Sequence, residues 1–255
     1  MRMKKTSFLP VIIISLFQLA HAQTAPQNQT QTINVGIKDQ PCDFINREQA
    51  SFQDFGNLCK YEKLNTALPD PTLERVVWFG DSITEGWGSG IIGLNPQDTI
   101  NRGISGQTTP QMRLRFRADV INLKARILHI MAGTNDIAGN TGPTSFERMK
   151  DNFRSMCEEA AQNNIKVVIG SILPARAFSW RPGIESAEII RKFNSWLKSY
   201  ADSRNFIFVD YHSAMTESDG GLPSIYSIDG VHPTPAGYAV MAKLAREAIS
   251  KAAGQ

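Results

Sequence analysis

The sequence predicts an α/β protein built on one parallel sheet sandwiched between helices. Short β-rich runs alternate with longer stretches of helical period, and no internal repeat interrupts the alternation. The chain has 255 residues, 42% of them hydrophobic and 20% charged, which is ordinary globular make-up. That composition excludes a disordered tail and a collagen-like repeat, and three cysteines exclude a disulfide-dense mini-protein.

The first element is an export signal. Arg2, Lys4 and Lys5 form a basic start, residues 8–19 are largely apolar, and Ala20-His21-Ala22 is a small-residue cleavage site, so residues 1–22 read as a signal peptide. The apolar run is too short for a spanning helix, which needs roughly 20 such residues, and Gln23 rather than Cys follows the cut, against a lipid anchor. The net charge of +3 also originates there, because without those three basic residues 24 Lys+Arg meet 24 Asp+Glu. Composition therefore offers no argument for nucleic acid or an anionic membrane as partner. The expected product is exported, periplasmic or secreted, without an integral membrane segment.

Residues 23–41 are rich in Gln, Thr and Asn and read as a flexible leader. Residues 42–70 read as an N-terminal helical segment, with Phe52, Phe55, Leu58, Tyr61 and Leu64 at weakly helical spacing before Pro69 and Pro71. Export permits disulfides, and Cys42 and Cys59 are the candidate pair, while Cys157 reads as a buried core thiol. No C-x-x-C or Cys/His spacing indicates a metal, and no cofactor is expected.

The main domain is expected over residues 71–255. Its strands are predicted at residues 75–79, 99–101, 126–131, 166–172 and 206–210. Its helices are predicted at residues 110–122, 145–163, 185–203 and 235–250. The second is opened by a Thr144-x-x-Glu147 capping box and the last by Thr234 ahead of Pro235. In such a sheet, function gathers at the carboxyl ends of the strands.

The loops there carry the chemistry. Ser82, in Gly80-Asp81-Ser82, leaves a buried strand at a turn, as a nucleophile would, although Gly-Asp-Ser alone is also a common turn. Position 84 is Thr, so this is not a G-x-S-x-G elbow. Beyond the signal peptide the histidines are His129, inside a strand; His212, after the fifth strand; and His232, three residues after Asp229. The tight Asp-Gly-Val-His turn lets Asp229 accept from the ring Nδ1–H and leaves Nε2 for a serine, which favours His232 over His212 as base. Gly103 offers an unobstructed backbone N–H and Asn135 an amide N–H for an oxyanion, although both types are also plain loop residues.

These four segments, in this order, resemble the SGNH hydrolases, the GDSL esterase/lipase superfamily, from about residue 75 to 249. The phrases at 101–109 and 133–142 are most similar to exported bacterial esterases related to platelet-activating-factor acetylhydrolase and lysophospholipase-L1-like enzymes. The resemblance implies a three-layer α/β/α sandwich of flavodoxin-like type with strand order 2-1-3-4-5. It implies Ser82 as nucleophile, Asp229 and His232 as the rest of a triad, and an oxyanion hole from the Ser82 N–H, the Gly103 N–H and the Asn135 side chain.

The acyl pocket is expected among residues 175–182, with Arg176, Phe178 and Trp180, plus Trp87 and Ile104; equally, Phe178 and Trp180 serve to anchor their loop. A small-molecule or carbohydrate ester carrying a short acyl group is the expected substrate. A lysophospholipase or thioesterase would use the same residues, and a non-catalytic carbohydrate-binding module is the alternative of another class. The sequence does not address oligomeric state.

Overall fold

A computed structural model describes Cys42 and residues 53–88 and 98–254. The expected signal peptide and leader, and residues 43–52 of the N-terminal segment, lie outside the described residues. The β-rich runs become β1 (Val76–Gly80), β2 (Thr99–Gly103), β3 (Ile127–Met131), β4 (Lys166–Gly170) and β5 (Ile207–Val209). They pair in parallel in the order β2-β1-β3-β4-β5, as the resemblance implied. Gly80 is in register with Gly103 on one side and Met131 on the other, so the loops after β1, β2 and β3 start in one row.

Strand alternation builds both faces. Val77 and Phe79 point into a core with Met112, Phe116, Phe153 and Phe193. Val76 and Trp78 point into a second core with Tyr211, Met241, Ala245 and Ile249. Fully burying an aromatic or large aliphatic side chain contributes roughly 1.5–3 kcal/mol, so two such layers hold the sheet from both sides.

The covering elements are α1 (Glu62–Thr66), α2 (Ser82–Gly86), α3 (Thr109–Phe116), α4 (Thr134–Ile137), α5 (Phe146–Gln162), α6 (Ser186–Arg204), α7 (Tyr211–Met215) and α8 (Pro235–Ala253). Both long helices bury one face, Met149, Phe153, Met156 and Cys157 on α5 and Ile190, Phe193, Leu197 and Tyr200 on α6, where the sequence spacing puts Ile189 and Trp196 in place of Ile190 and Leu197. The cap of α5 is Ser145, whose hydroxyl accepts from Arg148 N at 3.3 Å, not Thr144. Glu147, expected to complete the box, pairs with Lys150 Nζ at 2.7 Å instead. Thr234 caps α8 as expected, accepting from Gly237 N.

The helix expected at residues 110–122 is α-helical only to Phe116 and continues as a π-turn over Arg117–Ile121, closed by Asn122 N to Arg117 O at 2.9 Å. That turn carries the buried Asp119, which accepts from the buried Arg115 Nη1 at 3.0 Å and from the half-buried Asn65 Nδ2 at 2.7 Å. Among the described residues no helix is long and apolar enough to cross a membrane.

The N-terminal segment departs most from expectation. A turn at Gly56 and a left-handed Asn57 (φ 56°) break the expected helix into a 3-10 turn, Leu58–Lys60, and the short α1. Phe55, Leu58 and Leu64 are exposed and Tyr61 is buried. Cys42 and Cys59 form the expected disulfide, and Cys157 is a buried free thiol. The segment is fastened to the sheet domain by polar bonds: Tyr61 Oη donates to Gly103 O, Gln107 Nε2 to Gly56 O at 2.9 Å, and Arg102 Nε to Asn65 Oδ1 at 2.8 Å.

Candidate active site

β1 runs out at Gly80 and the chain turns through Asp81, whose Oδ1 accepts from Ile83 N at 3.0 Å and caps α2. Ser82 is thereby the first helical residue, half-buried at the carboxyl rim of the sheet. Burial pushes the Asp81 carboxyl up to about 7 against the N–H of Ile83, with His232 nearby also drawing it down.

The Asp229–His232 turn meets this serine from the far end of the chain. Asp229 Oδ1 accepts from Val231 N (2.9 Å), His232 N (2.8 Å) and Ser227 Oγ (3.1 Å). Its Oδ2 stands 2.7 Å from His232 Nδ1, and His232 Nε2 stands 2.9 Å from Ser82 Oγ. Burial pushes the Asp229 carboxyl up, but these hydrogen bonds outweigh it and hold it well below the usual carboxylate range. An ionised carboxylate accepts only, so in the neutral ring Nδ1 donates to Asp229 and Nε2 accepts from the serine hydroxyl. The three residues together can draw a proton off Ser82 Oγ.

The other histidines are elsewhere. His129 lies wholly buried in β3 against Tyr211 Oη at 2.8 Å, and burial pushes it down to about 3, so it stays neutral. His212 is buried in α7, where its backbone N–H donates to Ser171 Oγ, and burial lowers its pKa.

Of the three expected oxyanion donors, the Gly103 N–H is already engaged. Its N–H donates to Asn101 Oδ1 at 2.8 Å, and a Cβ here would stand 2.1 Å from Glu85 N. The glycine is required because α2 passes so close over β2. Three residues on, Gly106 forms the loop apex in the left-handed region (φ 76°), with open space around it and its N–H engaged by no acceptor among the described residues. A glycine after Ser105 in Ile104-Ser105-Gly106-Gln107 was the available signal for it. Asn135, at the start of α4, is 4% exposed and donates from Nδ2 to Gln107 O at 3.0 Å, with Asp81 Oδ2 at 3.4 Å.

Two loops are thus held beside Ser82 by one buried cation. Arg115 bonds Gly80 O (3.0 Å), Arg102 O (2.9 Å) and Gln107 Oε1 (2.6 Å) as well as Asp119. From outside, Glu85 accepts from Ser105 N (2.7 Å) and pairs with Lys60 of the N-terminal segment.

The sequence profile of the GDSL-like lipase/acylhydrolase family matches residues 78–240, which include Ser82, Asn135, Asp229 and His232. The chain belongs to this family. It is a member of the SGNH hydrolase superfamily and an ester-bond hydrolase. A GDSL-like lipase of Bacteroides thetaiotaomicron has a similar structure, with 42% identity, a TM-score of 0.74, and coverage of 78% of this chain and 99% of that one. The acetylxylan esterase of Geobacillus stearothermophilus is 28% identical over 67% of this chain and 91% of its own length. The Bacillus subtilis lipoprotein YqeF is 28% identical over 64% of this chain and 84% of its own length.

The substrate wall of this GDSL-like hydrolase differs from the one expected. Trp87, 1% exposed, folds inward against Trp78 (ring centroids 5.0 Å apart), and Ile104 and Phe178 are equally buried, so all three are packing residues. Arg176 is engaged by Asp219. Trp180 alone of the expected aromatics is open, 38% exposed, with its ring centroid 6.3 Å from that of His232. The grouping of ligand-type side chains nearest to a metal site among the described residues, Cys42, Cys59 and Glu62, has its two sulfurs committed to each other.

Proposed function

We propose that the protein is an exported serine esterase acting through Ser82, His232 and Asp229. The observation that carries the reading is the unbroken bond line from Ser82 Oγ through the His232 ring to Asp229, 2.9 and 2.7 Å long. Ser82 Oγ attacks the acyl carbon as its proton passes to His232 Nε2, and Asp229 stabilises the resulting imidazolium. The Ser82 N–H, the Gly106 N–H and Asn135 Nδ2 receive the oxyanion, Gly106 replacing Gly103 because the latter's N–H is already bonded. Collapse expels the alcohol, protonated by His232. Water, activated by the same ring, then attacks the acyl-enzyme, releasing the acid and restoring Ser82.

The proposed substrate is a short-acyl ester, foremost an acetylated carbohydrate. The exposed Trp180 beside His232 suits a sugar face, and the acetylxylan esterase relative supports the same class. In this reading residues 1–22 are a removed signal peptide and 23–41 a leader. Residues 42–70 then buttress a hydrolase domain spanning 71–255, and the lipoprotein relative supports export.

The test is turnover of p-nitrophenyl esters of rising chain length beside acetylated xylan and a lysophospholipid. Wild type should favour acetate and xylan, and Ser82→Ala should show no turnover above background. Near wild-type turnover by Ser82→Ala sinks the assignment. A preference for lysophospholipid selects the lipid-ester alternative, and absence of a fluorophosphonate adduct selects a non-catalytic binder.

A further inference from the structure

Asn140 makes more bonds to the site than the reaction requires. It lies just beyond α4, and its own N–H donates to Asn135 O at 3.0 Å. Its side-chain Nδ2 donates to Asn135 Oδ1 at 2.8 Å and reaches Gly106 O at 3.3 Å. Its Oδ1 accepts from Trp180 Nε1 at 3.0 Å.

These bonds have a direction. A carboxamide fits its cavity equally well either way round, so its orientation is set by its neighbours. The indole of Trp180 can only donate, which obliges Asn140 to turn Oδ1 toward it. The NH₂ of Asn140 is then presented to Asn135, which must answer with Oδ1. That leaves Asn135 Nδ2 on its other side, toward Gln107 O and the Asp81 carboxylate next to Ser82, where an oxyanion donor has to be. Reversing the Asn135 amide would set two NH₂ groups against each other and leave its oxygen facing the Gln107 carbonyl, which only accepts. The contact with Gly106 O also ties the second donor loop to the first.

We infer that Trp180 and Asn140 form a positioning relay that holds the Asn135 carboxamide with its NH₂ toward the substrate oxyanion. The relay starts at a side chain standing beside His232 where substrate enters and ends at the oxyanion donor. It rests on the proposed role of Asn135.

The experiment is a double-mutant cycle read on p-nitrophenyl acetate, with kcat and KM separated and the melting temperature of each variant measured. Asn140→Asp keeps the acceptor for Trp180 and replaces the NH₂ by an oxygen, so Asn135 loses the partner that orients it. We expect kcat to fall about 10–100-fold with KM changed by less than about 2-fold, a fraction of the loss typical for a whole oxyanion donor. In an Asn135→Ala background the same substitution should cost less than about 2-fold, because the two residues act as one unit. Trp180→Phe, which keeps a ring but removes the N–H, should lower kcat by a smaller factor and lose that effect in the same background.

Unchanged kcat in Asn140→Asp overturns the relay, as does an equal loss with and without Asn135. If Asn135→Ala itself leaves kcat intact while Ser82→Ala abolishes it, the oxyanion assignment falls and the relay with it. An additive Asn140 effect beside a damaging Asn135→Ala refutes the relay alone.

Discussion

Asp81 should make the protein less stable as pH rises, and Asp81→Asn should remove that dependence. The side chain is 1% exposed, accepts one good bond from Ile83 N, and has Asn135 Nδ2 only at 3.4 Å. Burial therefore pushes its carboxyl from the ordinary 3.8 to about 7. Between those values the folded state holds a proton that the unfolded state has released, so stability declines as pH rises through that window. At about 1.4 kcal/mol per tenfold in proton affinity, the full cost is about 4 kcal/mol once the group is ionised in both states. Between pH 5 and pH 8 the change is on the order of 2–3 kcal/mol, or roughly 5–10 °C in melting temperature for a domain near 200 residues.

Thermal melts of wild type and Asp81→Asn at the two pH values read this directly. The substitution's own packing effect is common to both, so only the difference carries the ionisation. His232 and Asp136 face Asp81 electrostatically, and repeating the pair of melts in a His232→Ala background isolates the carboxyl. A mutant-minus-wild-type difference that is the same at pH 5 and pH 8, or larger at pH 5, would falsify the argument.

The other expectations are simpler. Asn135→Ala should lower kcat on p-nitrophenyl acetate by about 10²–10³-fold, the scale of one lost oxyanion donor. Gly103→Ala should destabilise by about 3 kcal/mol or more in urea titration, because the new Cβ meets Glu85 N at 2.1 Å and backbone cannot yield. Arg115→Met should cost about 3–5 kcal/mol in the same assay by stranding the Asp119 carboxylate in the interior, and adding Asp119→Leu should recover part of it. Replacing Cys42 and Cys59 by serine should lower stability by about 3 kcal/mol, the chain-entropy value for a loop of this length, and a reductant should do the same to wild type.

The sheet was legible because its strands are buried on both faces and read as unbroken β-rich runs, while α5 and α6 announce themselves by apolar spacing. The histidine could be chosen because a four-residue turn carries its orienting carboxylate with it. Gly103 and Gly106 could not be told apart locally. Which N–H is free depends on Asn101 turning its side chain back onto residue 103, and on α2 crossing β2 at contact distance. Trp87 departs from the expected rim position for a related reason. The single turn of α2 delivers it inward, onto Trp78 and His129, rather than to the rim. The N-terminal segment has helical spacing, yet Gly56 and Asn57 bend it, and its fixed points are polar bonds to distant loops that no periodicity records.

Arg115 divides the freedom of the molecule unequally. Its guanidinium grips carbonyls at the ends of β1 and β2 and the side chain of Gln107, all from below and out of reach of any ligand. The half of the rim that carries Ser82 and Gly106 is therefore anchored by atoms with no stake in what is bound. The opposite half, at residues 175–182, is hydrogen-bonded toward that anchor through Trp180 and Arg181, by way of Asn140 and Gly139. Substitutions there that spare the Trp180 indole can reshape what the enzyme accepts while leaving Ser82 and its anchor untouched, which gives this scaffold a natural seam for divergence among substrates.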